Sequence, residues 1–136
     1  MSRPALSFEV VKQAGRCRAA KINLRHGQVR TPVYMPVGTK GAMKGLLSET
    51  LDSLVDCDIQ LANTYHLFLK PGEAMLNRFG GLHNYAKWPR NYLTDSGGFQ
   101  IVSLDALNKI DENGVTFKSH IDGQEFGLTP ERSMEI

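Results

Sequence analysis

Asn91-Tyr92-Leu93-Thr94-Asp95-Ser96-Gly97-Gly98-Phe99-Gln100 is the stretch on which the reading of this chain turns. Asn91 to Leu93 read as the end of a short apolar strand, with Asp95 just past it. The Gly97-Gly98 pair lets the backbone approach a ligand and adopt dihedrals closed to other residues. Phe99 offers a flat face on which a planar ring stacks. Asp95 is then a carboxylate beside an apolar surface, where its environment can suit it to acid/base or nucleophilic work. The same Asp-Ser-Gly run is also ordinary turn chemistry, with Asp as a capping residue.

Working outward, Ile59-Gln60-Leu61 reads as another short strand, followed by the polar cluster Asn63-Thr64-Tyr65-His66. Thr31-Pro32-Val33-Tyr34-Met35-Pro36-Val37 is rich in β-formers and runs into a glycine-bearing loop, Gly38 to Gly45. Helices fit between these strands. Ser48 can N-cap one that runs through Val55, with Leu51, Leu54 and Val55 on one face. Pro71-Gly72 precedes another, with Met75, Leu76 and Phe79 on one face and Gly80-Gly81 as its stop. Strand, loop and helix in alternation predict parallel βα units.

The flanks read differently. Phe8 to Val11 and Arg18 to Leu24 predict an antiparallel β hairpin turning at Gly15, with a second turn at Arg25-His26-Gly27. Asp111-Glu112-Asn113-Gly114 and Asp122-Gly123 are hairpin turns around a strand from Val115 to Ile121, which predicts a small β insertion. Thr129-Pro130-Glu131 is a strong helix start, with Thr129 as N-cap and Pro130 at the first position. A helix from there to Ile136 has under two turns, too few to hold itself. The chain therefore reads as part of a larger domain.

Composition narrows the class. The 136 residues suffice for one domain at most, and a hydrophobic fraction of 41% with 22% charged is ordinary for a globular protein. Sixteen basic against fourteen acidic residues leave a net charge of +2, so no global charge demands a nucleic-acid partner. Cys17 and Cys57 form no C-x-x-C pair and read as reduced thiols. His26, His66, His83 and His120 lack metal-site spacing and read as structural. Lys40, Lys44 and Lys70 form either a basic rim or a solvated face. Trp88-Pro89-Arg90 reads as packing plus a turn, with Arg90 able to reach a phosphate. The first ten residues lack a secretory core, and no apolar run reaches membrane length.

Together, Thr31 to Thr39, Asn63-Thr64-Tyr65-His66-Leu67, Leu93 to Gln100, Ser119-His120-Ile121-Asp122-Gly123 and Leu128-Thr129-Pro130-Glu131 resemble the tRNA-guanine transglycosylases, also called queuine tRNA-ribosyltransferases, in order and spacing. The resemblance covers nearly everything from Arg18 onward. It implies an α/β fold, with residues 1–136 as the N-terminal portion of a single elaborated (β/α)8 TIM-barrel domain of at least ~250 residues. Gly97-Gly98-Phe99 looks like the queuosine branch, and Met43-Lys44-Gly45 looks more like eukaryotic members.

The implied reaction exchanges guanine at the wobble position of certain tRNAs for queuine, or for a precursor in bacteria. One carboxylate attacks the ribose C1′ and forms a covalent intermediate, and a second takes a proton from the incoming base. By this resemblance Asp95 is the second carboxylate, the catalytic general acid/base. Asp95, Ser96, Gly97, Gly98 and Phe99 would hold the base, and Asn63 and Gln100 would orient Asp95. The resemblance places the nucleophile and a structural Zn2+ site of three cysteines and a histidine beyond Ile136.

The implied partners are tRNA, queuine and either a non-catalytic paralogous subunit in a heterodimer or a second copy in a homodimer. The implied location is the cytoplasm, with association at the mitochondrial outer surface, and no membrane insertion. Two other readings compete. Asp-Ser-Gly-Gly also surrounds the nucleophilic serine of trypsin-like proteases, but those are disulfide-rich secreted barrels. A truncated isoform that binds tRNA or a partner subunit without turnover is the non-enzymatic alternative.

Overall fold

A computed structural model describes residues 4–104 and 109–136, and the architecture is mixed α/β. At its centre, β4 (Ile59–Asn63) pairs in parallel with β5 (Asn91–Asp95), Ile59 facing Asn91 and Asn63 facing Asp95. Ile59, Gln60, Ala62 and Asn63 are buried, as the inner strand of a covered parallel sheet requires.

Thr31 to Val37, read above as a strand, is not one beyond its first residue. Pro32 and Pro36 carry no amide hydrogen, so the segment cannot sustain a ladder. Only its end joins the sheet. Leu61 N donates to the Pro36 carbonyl at 2.9 Å, and Gly38 N donates to the Leu61 carbonyl at 2.7 Å. The resulting Val37–Leu61 bridge is parallel, so three chain segments run side by side toward one edge.

The N-terminal strands are longer than the sequence pattern suggests. β1 (Ser7–Ala14) pairs antiparallel with β2 (Cys17–Leu24), and β2 with β3 (Gly27–Thr31). Gly15, at φ +59°, supplies the left-handed turn conformation between β1 and β2. Arg25-His26 alone makes the second turn, so Gln28 to Arg30 belong to a strand. Ala20 and Val29 are buried.

Three short helices, rather than one, separate β4 from β5: α2 (Thr64–Leu69), α3 (Glu73–Arg78) and α4 (Leu82–Ala86). Gly80 and Gly81, at φ +75° and +108°, end α3 as expected and let the chain re-enter a helix at once. Leu76 packs inward with Ala62 and Leu67, while Met75 and Phe79 stay exposed. Before β4, α1 (Ser48–Leu54) buries Leu51 against Cys57 and Trp88. Ser48 is its first residue and not its cap; the hydroxyl donates to the Ala86 carbonyl at 2.7 Å and ties α1 to α4. Leu54 and Val55 are exposed, which corrects the apolar face expected there.

After β5, α5 (Gly98–Leu104) leads toward an antiparallel sheet of β6 (Lys109–Asp111), β7 (Gly114–Lys118) and β8 (Glu125–Leu128), in that order. β7 stops at Lys118, short of Ile121, because the backbone closes on itself there. Ser119 N donates to the Gln124 carbonyl and Gly123 N to the Ser119 carbonyl, both at 2.8 Å. Phe117 and Leu128 pack this sheet onto Tyr65 and Ile101. In α6 (Pro130–Glu135), the Thr129 hydroxyl accepts from Arg132 N at 3.0 Å, the predicted cap, and Arg132 pairs with Glu73 of α3. No helix among the described residues is long and apolar enough to cross a membrane.

Polar contacts dock the N-terminal sheet on the central strands. Asp58 at the foot of β4 accepts Arg30 Nε at 3.2 Å and Arg90 Nη1 at 3.3 Å, while Arg90 Nε reaches Asp52 at 2.6 Å. Arg90 is thereby engaged inside the fold. The His26 ring, in the β2–β3 turn, stacks on His83 of α4 with centroids 3.6 Å apart. Burial first, and His26 second, hold the His83 imidazole below its ordinary value of 6.5, against an opposing pull from the Arg90 carbonyl. Its buried Nε2 has no hydrogen-bond partner among the described residues.

A His83 proton therefore binds the unfolded chain more tightly than the folded one. Stability from this contact is complete above pH 6.5 and is lost as pH falls below that value. Asp56 and Asp122 are also depressed, from an ordinary 3.8, so their contribution is lost only at more acid pH. The denaturant midpoint is expected to drop between about pH 7 and pH 5. In His83→Phe, which keeps a ring but no titrating nitrogen, that drop should shrink; an unchanged slope would exclude His83 as its source.

Candidate functional site

Parallel strands with helices on their connections collect functional groups at their C-terminal ends. Asn63 closes β4 and Asp95 closes β5, and the register sets them side by side. Asn63 Nδ2 donates to Asp95 Oδ1 at 2.5 Å and lies 3.0 Å from Gln100 Oε1. Its Oδ1 accepts His66 N at 3.1 Å, so the same side chain caps α2. One buried amide thus ends a strand, starts a helix and holds a carboxylate.

The loop after Asp95 is shaped by close packing. Gly97 N donates to Asp95 Oδ1 at 2.9 Å, and Gly98 N to Ser96 Oγ at 3.3 Å. Gly97 has φ +73°, and a Cβ there would overlap the Tyr65 side chain and stand 2.8 Å from Tyr65 N. No other residue fits. Asp95 is half-buried and Phe99 is 78% exposed. Among the described residues, both hydrogen bonds to Asp95 reach Oδ1.

Asp95, Ser96, Gly97, Gly98 and Phe99 thus lie on one strand end and the following helix start. The amides of Gly97 and Gly98 are engaged by the loop itself. What stands exposed beside the half-buried Asp95 is the Phe99 ring.

Three residues read as structural gather behind this loop. Tyr65, buried to 1%, bonds through its hydroxyl to His120 Nδ1 at 3.1 Å. His66 lies edge-on to both Tyr65 and His120, at centroid distances of 5.1 and 6.2 Å. Burial first, then His120 and Lys40, hold the His66 imidazole below 6.5; Asp95 pulls it up and Lys44 down. The site therefore mixes a carboxylate, an imidazole and two exposed lysines. The position of Asn63-Thr64-Tyr65-His66 directly after a strand was the signal for this grouping; His120, from the distant insertion, was marked only by the Ser119–Gly123 run of the resemblance.

The chain matches the queuine tRNA-ribosyltransferase family over residues 13–136. The chain belongs to this family. A queuine tRNA-ribosyltransferase of Mesorhizobium japonicum is 50% identical over 136 residues, 100% of this chain and 36% of that protein. Those of Acinetobacter baumannii and Acinetobacter baylyi are each 50% identical over 131 residues, 96% of this chain and 34% of theirs. The chain thus spans about a third of the length of the curated relatives it matches. These relatives are bacterial, and they lend no support to the eukaryotic cast of Met43-Lys44-Gly45. Family membership sets aside the protease reading, and Ser96 Oγ is accordingly taken up by its own loop. No described group of three His, Cys, Asp or Glu residues in this family member could hold a metal ion. Cys57 is buried, with its thiol on the Ile59 carbonyl, and Cys17 is exposed. The residues described do not fit the Zn2+ site implied by the resemblance.

Asn63→Ala removes a helix cap and a hydrogen bond to a charged group, an expected loss of about 2–4 kcal/mol in denaturant unfolding. Asn63→Ser keeps cap chemistry but is too short to reach Asp95, and should recover about 1 kcal/mol of that loss. Equal losses in the two variants would show that the cap contributes nothing here.

Proposed function

We propose that the protein carrying this chain exchanges guanine at the wobble position of tRNA anticodons for queuine or a precursor base. The two displacements pass through a covalent enzyme–tRNA intermediate, and Asp95 is the general acid/base. The observation that carries this reading is Asp95 itself. In a chain of this family, it ends a parallel strand with Oδ1 held by Asn63 and Gly97 and the Phe99 ring exposed beside it.

In the first displacement, a carboxylate outside these residues forms a bond to the ribose C1′ and the C1′–N9 bond to guanine breaks. The leaving base takes up a proton from the Asp95 carboxyl, which is left as the carboxylate. In the second, Asp95 removes a proton from the incoming base, whose nitrogen attacks C1′ and expels the enzyme carboxylate. Two carboxylates divide such work when their surroundings differ. Asn63 and Gly97 fix Asp95 in orientation, which leaves Oδ2 for the proton. Phe99 stacks on the base, and Lys40 and Lys44 meet tRNA phosphates, which position without reading sequence.

This reading also places β4, β5 and the segment at Val37 as neighbouring staves of a (β/α)8 barrel, with residues 1–136 as the opening part of one domain. The β6–β8 sheet is then an insertion on it. The structural Zn2+, the nucleophile and the contacts of a homodimer or heterodimer belong to the rest of the protein.

The test is incorporation of labelled base into tRNA by the intact protein. Asp95→Asn, nearly isosteric, should lower exchange by about 10²–10⁴-fold with an unchanged unfolding midpoint. Full activity in that variant sinks the assignment. Phe99→Ala should weaken free-base binding by about five- to a hundredfold, and tRNA binding far less. Equal losses would remove Phe99 as the stacking surface.

A further inference from the structure

A buried polar line crosses the central strands, and no step above uses it. Gln60 and Tyr92 are register partners in the β4–β5 ladder, and Gln60 is 0% exposed. Gln60 Nε2 lies 3.2 Å from Tyr92 Oη, and Tyr92 Oη donates to the Gly41 carbonyl at 2.5 Å. The phenol has one proton, and the carbonyl takes it. Gln60 must therefore donate, which fixes the direction of the whole line. Burial pushes the Tyr92 hydroxyl well above its ordinary value of 10.0, so it stays a donor at any working pH. Gln60 Oε1 is buried without a partner among the described residues, against Gly38, where a Cβ would stand 2.6 Å from it.

Two polar side chains inside a strand pair cost stability unless their bonds are made, and here one acceptor is left unsatisfied. The far end of the line is a loop. Gly38 to Gly45 is tied at its start by Gly41 N to the Gly38 carbonyl at 2.8 Å, and by Asn63 N to the Thr39 carbonyl at 3.3 Å. The second bond uses the backbone of the residue that holds Asp95. Gly41, at φ +84°, holds a backbone conformation that other residues rarely adopt. The loop is thus pinned at Gly41 from below, with Lys40 and Lys44 exposed on either side. Thr39, next to Lys40, is bonded to the Asn63 backbone, which brings the start of the loop to the strand end that carries Asp95.

We propose that Tyr92, braced by Gln60, is a positioning residue that holds the Gly38–Gly45 loop so that Lys40 and Lys44 meet phosphates of the tRNA substrate. The proposal rests on the transglycosylase reading. A purely structural Tyr92 would affect every kinetic constant through stability. A loop anchor affects tRNA affinity alone, because phosphate contacts carry affinity and salt dependence.

The experiment compares the intact wild-type protein with Tyr92→Phe by tRNA binding, base binding and exchange kinetics. The expected result is a three- to tenfold rise in tRNA Kd and KM, with kcat and the constants for free base within twofold. Lys44→Ala should cost less affinity in the Tyr92→Phe background than in wild type. A tRNA Kd within twofold of wild type overturns the proposal, and so does an equal loss in all constants. Where Tyr92→Phe fails to fold, Gln60→Leu combined with Tyr92→Phe removes both buried polar groups, and the same outcomes apply to it. If wild type exchanges no base while Tyr92→Phe still weakens tRNA binding, the transglycosylase reading falls and the loop anchor stands.

Discussion

The parallel pairing of β4 with β5 is the constraint on which the rest of this structure depends. Because the ladder sets Asn63 opposite Asp95, one amide can bond the carboxylate, accept the His66 amide in the first turn of α2 and approach Gln100. A shift of one residue would send Asn63 to the opposite face and leave Asp95 without its partner. Gln60 would lose Tyr92 by the same slip, since the two stand three places back along the same strands. Register therefore controls both the chemistry at the strand ends and the polar line beneath it.

Local packing then limits what the loop after Asp95 can be. Gly97 is required twice over, by a positive φ and by contact with Tyr65. Tyr65 in turn is held by His120 from the turn that follows β7, and by Phe117 and Leu128 in the core. The β6–β8 sheet is remote in sequence from β4, yet it backs the catalytic candidate through buried Tyr65 and Ile101. Rigid support of this kind is what a carboxylate needs if its orientation is to survive ligand binding.

Electrostatics is arranged in two layers. At the foot of β4, Arg30 and Arg90 share the carboxylates of Asp52, Asp56 and Asp58, and these charges join the N-terminal sheet to the central strands. At the strand ends the balance is different: Lys40 and Lys44 are exposed, and their charges lower the His66 imidazole while Asp95 raises it. Arg30 and Arg90 close the structure, and Lys40 and Lys44 stay exposed. The near-neutral overall charge conceals this separation.

Much of the site was legible in the sequence. Asp95, the glycine pair and Phe99 are contiguous, so their proximity follows from the chain itself. Thr129-Pro130 announced a helix and formed one, because capping is a local event decided within one turn. The exposure of Leu54, Met75 and Phe79 was not legible, since a helical face becomes buried only where something packs on it. Nor was the break from Pro32 to Val37, where β propensity pointed one way and two missing amide hydrogens the other. The sequence by itself determined which chemical groups follow a strand end. Only the tertiary structure decided that Asn63 and Asp95 are neighbours, that Tyr65 meets His120, and that Tyr92 reaches Gly41, because each pair lies 30 or more residues apart. Contacts at that separation are set by sheet register and core packing, and neither is written in any local stretch of chain.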